Sequence, residues 1–208
     1  MPNRSVSRLS YCFGHCEDRG VDDEPVGDVQ LRDELLRRRD TDQRARRAGE
    51  PLFEKAVDGV VRSADISPEE QDVLNHVGEV DRANTRWLHD IVQRYGWPAR
   101  SLVGEDGIAA AWLLVQHADR DPAFQRECLD LMRASPDEET SPAHIAYLTD
   151  RVLLAEGDSQ IYGTQMTVIN GEYQPRNLRD PETVNQRREA AGLNTIGEYL
   201  QQMRNGRP

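Results

Sequence analysis

Signals that begin and end α-helices recur along the sequence from Val29 onward, and they constrain the fold more than any other feature. Ser67-Pro68-Glu69-Glu70 supplies a capping serine, a proline at the first helical position and a glutamate that completes a capping box. Between such starts, apolar residues recur at spacings of three and four, which is typical of amphipathic helices. Further starts are Asp121-Pro122, Ser141-Pro142, Asp180-Pro181 and Thr195 to Glu198.

One predicted helix differs from the others because it is apolar on nearly every side. It runs from Ile108 to Ala118 and follows a predicted loop over Ser101 to Gly107. A helix without a polar face is normally buried, so we expect it at the centre of the domain. Cys128, on the next helix, falls on the inward face and is interpreted as a small buried hydrophobe.

A single β-element interrupts this helical pattern. Asn170-Gly171 is the strongest short-range hairpin signal, and it lies within a predicted hairpin at about 160–176. The predicted fold class is therefore all-α, mainly helical, with one inserted antiparallel β-hairpin near the C-terminus. Residues 1–27 are predicted to be a disordered or loosely packed tail, and residues 28–208 a single helical domain.

Charge and hydrophobicity exclude several classes of function. The 208 residues include 26 Lys and Arg against 37 Asp and Glu, a net charge of -11, so we expect neither a nucleic-acid nor an anionic-membrane partner. The longest apolar run, Ile108 to Val115, is too short to span a bilayer, and no signal peptide is visible. The odd number of cysteines, three, favours a reducing cytoplasm over a disulfide framework.

Two local clusters allow alternative interpretations. Six arginines between Arg37 and Arg47 form a basic patch, which we interpret as a solvated face with acid–base pairs rather than a nucleic-acid contact. Cys12, His15 and Cys16 are zinc-ligand types, but a closed zinc site needs four ligands, so we interpret them as incidental tail residues.

The first candidate functional segment is Gln116-His117-Ala118-Asp119, at the end of the predicted central helix. Histidine titrates near neutral pH, so His117 is suited to acid–base catalysis, with Asp119 or Asp150 to orient it. The alternative is a core histidine satisfied by one carbonyl or carboxylate. We predict His117 and Asp119 as catalytic residues and Gln116 as a ligand-binding residue.

The second candidate segment runs from His144 to Arg151. Asp150 lies on a largely apolar helix, where a carboxylate is costly unless it is paired. It is therefore either a third catalytic residue or half of a structural ion pair, and Arg151 is a candidate for ligand binding. His144 and His117 together could belong to a metal site, but no histidines have the i, i+4 spacing of a helical zinc motif, so no metal ligand is predicted.

The third candidate segment, Gln160 to Gln165, is predicted to form an extended strand. Gly163 weakens a strand and suggests close approach of another backbone or a ligand. Tyr162, Thr164 and Gln165 are candidates for ligand binding, and the alternative is that they seal helix ends.

Arg188 extends this candidate site. It shares a helical face with Val184 and Ala191, so we predict that it points inward. An inward arginine needs an anion, which Asp119, Asp150 or an anionic ligand would supply.

Four collinear boxes stand out in the sequence: Trp97 to Gly104, Ala110 to Asp119, Tyr147 to Val152 and Gln160 to Gln165. A closing segment follows, with Val184, Arg187-Arg188 and Gly192-Leu193. Together these segments resemble a bacterial family of unknown function, numbered 6624 and common in actinomycetes. The resemblance spans about Leu31 to Leu200 and implies neither a reaction nor a cofactor. It implies only which polar residues belong to the family's signature: Gln116, His117, Asp119, Asp150, Arg151, Tyr162, Thr164 and Gln165.

Two hypotheses follow from these patterns. In the first, the three segments build a polar pocket of an enzyme that hydrolyses, or transfers a group of, a small anionic or polar molecule. In the second, the same residues form a closed structural network, and the acidic surface meets a partner such as a basic protein. Solvent access at His117 separates the two hypotheses.

Overall fold

The computed structural model describes residues 26–57, 66–169 and 171–205 and confirms the predicted fold class. Seven α-helices and one two-stranded antiparallel sheet make up the described part, with short 3-10 turns at Asp137–Glu139 and Pro181–Thr183. The elements are α1 (Val29–Val57), α2 (Pro68–Tyr95), α3 (Arg100–Gln116), α4 (Pro122–Ala134), α5 (Pro142–Glu156), β1 (Met166–Ile169), β2 (Glu172–Pro175), α6 (Val184–Ala190) and α7 (Ile196–Arg204).

Helix α3 occupies the centre of the hydrophobic core, as its all-round apolar sequence predicts. Helices α1, α2, α4 and α5 all pack against it. Ile108, Trp112 and Val115 of α3 are buried in the same apolar cluster as Leu35 of α1 and Leu148 of α5. Because the C-terminal end of α3 is buried, Gln116 and His117 must find partners on the surrounding helices.

The predicted loop over residues 101–107 is wrong in most of its length, because α3 begins at Arg100. The N–H groups of Leu102 and Val103 both donate to the carbonyl of Ala99, at 3.0 and 3.1 Å. Only Gly104 departs from helical geometry, with φ at 72° in the left-handed region that glycine tolerates best. The segment therefore consists of two helical stretches that meet at Gly104. The two glycines in the sequence made it resemble a loop.

The hairpin is present, and its paired strands are shorter than predicted. Ile169 pairs with Glu172 across the turn that contains Gly171, and Met166 pairs with Pro175 at the open end. Residues 161–165 are not a strand, because the carboxylate of Asp150 accepts the N–H groups of residues 161, 162 and 164. Those donors are therefore unavailable to a sheet.

Part of the predicted organisation lies outside the described residues. This applies to residues 1–25 of the predicted tail, which include Cys12, His15 and Cys16. The division into a tail and a single domain therefore stays a prediction. Within the residues that the structure describes, no helix combines the length and the apolar character needed to cross a membrane.

The capping signals allow a direct test of how much a helix start contributes to the stability of the fold. The Ser67 hydroxyl accepts the N–H of Glu70 at 3.2 Å and the Glu70 carboxylate accepts the N–H of Ser67 at 2.8 Å, whereas Ser141 makes no side-chain cap bond. We expect Ser67→Ala to lower the free energy of unfolding by about 1 kcal/mol in urea titrations. Ser141→Ala, at the same place in another Ser-Pro helix start, should change it by much less. Equal losses in the two variants would contradict the capping interpretation.

Candidate functional site

His117 lies at the end of α3 against charged side chains from α1 and α2. Its Nδ1 is 2.9 Å from Oδ1 of Asp42 and 2.9 Å from Nε of Arg46, one turn further along α1. Nη2 of Arg46 donates to Oδ1 of Asp81 on α2 at 2.6 Å. These four residues, which we call the charged cluster, bring the polar end of α3 into contact with both neighbouring helices.

The proton on Nδ1 decides which contacts of His117 are hydrogen bonds. A neutral imidazole nitrogen carries either a proton or a lone pair, so Nδ1 either donates to Asp42 or accepts from Arg46. Donation to Asp42 leaves Nε of Arg46 with the same carboxylate as its acceptor, at 3.3 Å. We assign this tautomer because it gives every proton an anionic acceptor, and it leaves Nε2 of His117 with the basic lone pair.

The environment shifts the pKa values of two cluster members in opposite directions. Burial lowers the pKa of His117, and the positive charge of Arg46 lowers it further. Burial raises the pKa of Asp81 to about 6, with the charges of Asp42 and Asp119 adding to the effect against the opposing charge of Arg46. The cluster therefore holds a neutral histidine beside a carboxyl group that gains and loses its proton near neutral pH.

The cluster also offers donor atoms of the kinds that cations attract. Asp42, Asp81 and His117 each place one oxygen or nitrogen so that all three atoms lie within 4.8 Å of one another, the one such group among the described residues. The guanidinium of Arg46 contacts all three side chains. Arg46 thus supplies the positive charge at the point where the donors converge.

Gln116 and Asp119 face the opposite neighbour, α5. Nε of Arg151 donates to Oε1 of Gln116 at 2.9 Å, and Nη1 donates to Oδ1 of Asp119 at 2.5 Å. The carboxylate of Asp119 also acts on Asp81, whose pKa it raises. Asp119 therefore lies between the charged cluster and Arg151.

A small cleft opens beside Asp119. Its volume is about 30 Å³, room for about two water molecules. The residues that line it are Asp119, Gln125, Arg151, Leu154, Ala155, Gln165 and Arg176. Three predicted site residues, Asp119, Arg151 and Gln165, meet here.

Asp150 belongs to a different network. Its fully buried carboxylate accepts the N–H groups of Ile161, Tyr162 and Thr164 at 2.8 to 3.0 Å and the Thr164 hydroxyl at 3.0 Å. Burial raises the pKa of Asp150 even though these four donors favour its ionised form. The side chain ties the segment before the hairpin to α5.

Arg188 and Gln160 complete this second network, which we call the loop anchor together with Asp150 and Thr164. Arg188 is wholly buried, as predicted, but its direct partners are neutral oxygens and not a carboxylate. It donates to the carbonyls of Tyr162 and Asn194 at 2.8 and 2.6 Å, and burial lowers its pKa. Gln160 donates to the carbonyls of Gln165 and Arg176 and so fixes the side of the cleft that these two residues form.

Gly163 is the predicted point of close approach. Its φ is 68°, and a Cβ atom there would lie 3.0 Å from the side chain of Ile196 on α7. The approaching group is thus a side chain, where the sequence predicted a backbone or a ligand. The neighbouring Tyr162 takes part in the loop anchor through its backbone N–H and carbonyl.

The structure places the predicted site residues in separate parts of the molecule. His117 lies in the charged cluster, whereas Asp150, Thr164 and Arg188 lie in the loop anchor. The acidic partner of His117 is Asp42, where the sequence suggested Asp119 or Asp150. Sequence reasoning missed Asp42, Arg46 and Asp81. The i, i+4 spacing of Asp42 and Arg46 was a visible signal, but it was interpreted as part of a solvated face.

Two other candidate residues are placed away from the charged cluster. His144 stacks on Trp112, with ring centroids 4.3 Å apart, and its carbonyl accepts the indole N–H at 3.1 Å. Cys128 is completely buried, and burial raises the pKa of its thiol, so its place in the core is confirmed.

Sequence comparison agrees with the family resemblance. A model of a family of unknown function, DUF6624, matches residues 30–206, and the chain belongs to this family. No curated protein and no solved structure matches the chain.

Asp150 should be essential to the fold. Asp150→Ala leaves buried donors of residues 161, 162 and 164 without their acceptor, so we expect a loss of about 3 kcal/mol or more in the free energy of unfolding. Asp158→Ala, an exposed carboxylate just after the same helix, is the matched control and should change little. A mild loss in Asp150→Ala, measured by urea titration, would contradict the anchoring role.

His144 should make the protein sensitive to acid. Burial lowers its pKa to about 4 from an ordinary 6.5, so the unfolded chain binds a proton more readily between these values. We expect the histidine to destabilise the fold by about 3 kcal/mol as the pH falls from 6.5 to 4. His144→Phe should remove this component, whereas His76→Phe, at an exposed position, should retain it. The measurement is the free energy of unfolding against pH for the three proteins.

Proposed function

We propose that the protein is an enzyme that acts by acid–base chemistry on a small polar or anionic molecule, in keeping with the cytoplasmic location predicted from its cysteines. The observation that carries this proposal is the charged cluster, in which donor atoms of Asp42, Asp81 and His117 from three different elements lie within 4.8 Å of one another. Structural ion pairs also occur in proteins, but a neutral histidine beside a carboxyl group titrating near pH 6 is typical of a site for proton transfer.

Hydrolysis or group transfer would use His117 as a general base and Asp81 as a general acid. Nε2 of neutral His117 takes the proton from an attacking water or hydroxyl group, and Asp42 stabilises the imidazolium that forms. Protonated Asp81 gives its proton to the leaving group. The sum is one bond to the attacking oxygen formed and one bond to the leaving group broken, with both protons accounted for.

Access to the cluster comes from the side of Arg46 and Asp81. Their side chains are 17% and 20% exposed, whereas that of His117 is 4% exposed. We expect an anionic ligand to draw the guanidinium of Arg46 toward itself and so uncover His117. Asp81 then contacts the ligand first, and the Asp42–His117 pair lies behind it.

The second candidate function is non-catalytic binding through a closed network. The low exposure of His117 favours it, as do the protein donors that occupy both oxygens of Asp150. In this case the charged cluster only joins α1, α2 and α3. The two functions differ in what the loss of Asp81 does to stability.

Asp81→Asn tests the proposal through stability. The folded-state pKa of Asp81 lies above the unfolded value, so its ionised form destabilises the fold at pH 8, and this penalty fades as the pH falls from about 7 to 4. At pH 8 we expect Asp81→Asn to raise the free energy of unfolding by up to about 3 kcal/mol. A residue whose replacement stabilises the fold is typical of a functional site, where activity is retained at the expense of stability. Asp106→Asn is the control. The hydrogen bond from Arg32 lowers the pKa of Asp106, so the ionised carboxylate stabilises the fold and the Asp106→Asn variant should be less stable than the wild type.

Ligand binding and turnover provide a second test of the proposed function. A thermal-shift screen of a metabolite library identifies ligands, and turnover is then measured on the esters, amides and phosphate esters among them. Asp81→Asn and His117→Gln should abolish turnover while remaining folded, and Asp106→Asn should retain it. A clear loss of stability in Asp81→Asn at pH 8, or unfolding of both cluster variants, would support the closed network instead.

A further inference from the structure

We propose that Arg82 and Arg120, which we call the arginine pair, bind the phosphate group of a small molecule between them. The juxtaposition that carries this inference is two guanidinium groups, from α2 and from the turn after α3, that meet over the backbone of Gly78 with no described residue as their partner. The inference names the ligand class of the proposed function and rests on that function only for the step from binding to turnover.

Gly78 is the point at which the two guanidinium groups come together. Nη1 of Arg82 and Nη2 of Arg120 each lie 3.5 Å from the position that a Cβ atom of Gly78 would occupy. The two nitrogens are therefore at most about 7 Å apart, and since an N–H···O hydrogen bond spans about 2.9 Å, one oxyanion can accept from both. A side chain longer than alanine at position 78 would extend toward both groups and fill the space between them.

The positive charges of the arginine pair are not neutralised by any residue that the structure describes. Both arginines are exposed, and neither has a hydrogen bond or an ion pair to a described residue. The carboxylate that precedes each of them in the sequence already has another arginine as its partner. Asp81 binds Arg46 at 2.6 Å, and Asp119 binds Arg151 at 2.5 Å. The pair is therefore a local surplus of two positive charges in a protein whose net charge is -11.

The arrangement of the arginine pair favours a phosphate group over a carboxylate. A carboxylate has one negative charge, and its two oxygens fit the fork of a single guanidinium group. A phosphate monoester carries close to two negative charges above its second pKa of about 6, and its three terminal oxygens can accept from two guanidinium groups on different sides. Two positive charges that approach one point from two elements thus match a phosphate in both charge and number of oxygens.

The arginine pair lies beside the exposed side of the charged cluster. Gly78, Asp81 and Arg82 are spaced at i, i+3 and i+4 and so share one face of α2. Asp81 in turn accepts from Arg46, whose side chain is part of the solvent-accessible side of the cluster. The phosphate group would thus hold the substrate, while the bond that reacts lies toward Asp81, the general acid of the proposed reaction.

The test is binding of inorganic phosphate, glycerol phosphate and acetate to the whole protein at pH 8 and constant ionic strength, measured by calorimetry and by thermal shift. We expect both phosphates to bind more tightly than acetate. Arg82→Gln and Arg120→Gln should each weaken phosphate binding about tenfold, the effect of losing one charge-assisted hydrogen bond. Arg179→Gln removes an exposed arginine from the segment after the hairpin and should leave the affinity unchanged.

Gly78→Leu is a second variant, which keeps every charge of the protein. Leucine favours a helix more than glycine does, and its Cβ atom would contact only the flexible ends of the two arginines, so the variant should be at least as stable as the wild type. Because its side chain fills the space between the guanidinium groups, phosphate binding should weaken about tenfold or more.

The two phosphates distinguish the sources of the phosphate group. Tighter binding of glycerol phosphate than of inorganic phosphate identifies an ester as the ligand, and equal affinities identify the phosphate group as the part that is recognised. Three results would overturn the inference: no phosphate binding by the wild type, acetate binding as tight as phosphate binding, or the same phosphate affinity in the variants of the arginine pair as in Arg179→Gln.

His117→Gln separates this inference from the proposed function, because it leaves the arginine pair intact and should still bind phosphate. Phosphate binding that depends on Arg82 and Arg120, together with an absence of turnover, would reject the enzyme and retain the binding site. Turnover that is unchanged in both arginine variants would reject the binding site and retain the enzyme.

Discussion

The constraint on which the rest of the structure depends is the burial of the C-terminal end of α3. A helix end that is buried must place its polar residues against other protein groups. Here they take partners on two different helices. Gln116 and Asp119 bind Arg151 of α5, and His117 binds Asp42 and Arg46 of α1. The candidate site is thus a direct result of how the central helix ends.

A second, independent network gives the cleft its other wall. The loop anchor uses buried Asp150 and Arg188 to hold the segment before the hairpin through its backbone groups. Neither side chain faces the cleft, yet the two fix the segment that presents Gln165. The polar residues that hold this segment and those that line the cleft are therefore different, although they lie close together in the sequence.

The fold could be predicted from the sequence because its signals are local. The Ser67 capping box and the apolar spacing of α3 act within a few residues, and their consequences are confirmed. The kink at Gly104 was missed because a glycine in a helix and a glycine in a loop look alike in one sequence.

The site was harder to predict because its signals are not local. Asp42, Arg46 and Asp81 lie on polar helices where most charges face water, and only the packing of α1 and α2 on α3 gives them His117 as a neighbour. Asp150 is bound by backbone N–H groups, which every residue except proline carries and which no sequence pattern reveals. The inward direction of Arg188 was predictable from its helical face, whereas the carbonyls that bind it were not.

The order of the chain has a consequence for synthesis on the ribosome. The charged cluster needs nothing beyond α3, whereas the second wall of the cleft is held by Arg188 and by the hydroxyl of Tyr199, which donates to the carbonyl of Thr164 at 3.3 Å. A nascent chain therefore carries the charges of the cluster well before it can shape the cleft beside them. Until then the carbonyls of Tyr162 and Thr164 lack these two partners, so the cleft takes its shape only after α7 has been synthesised.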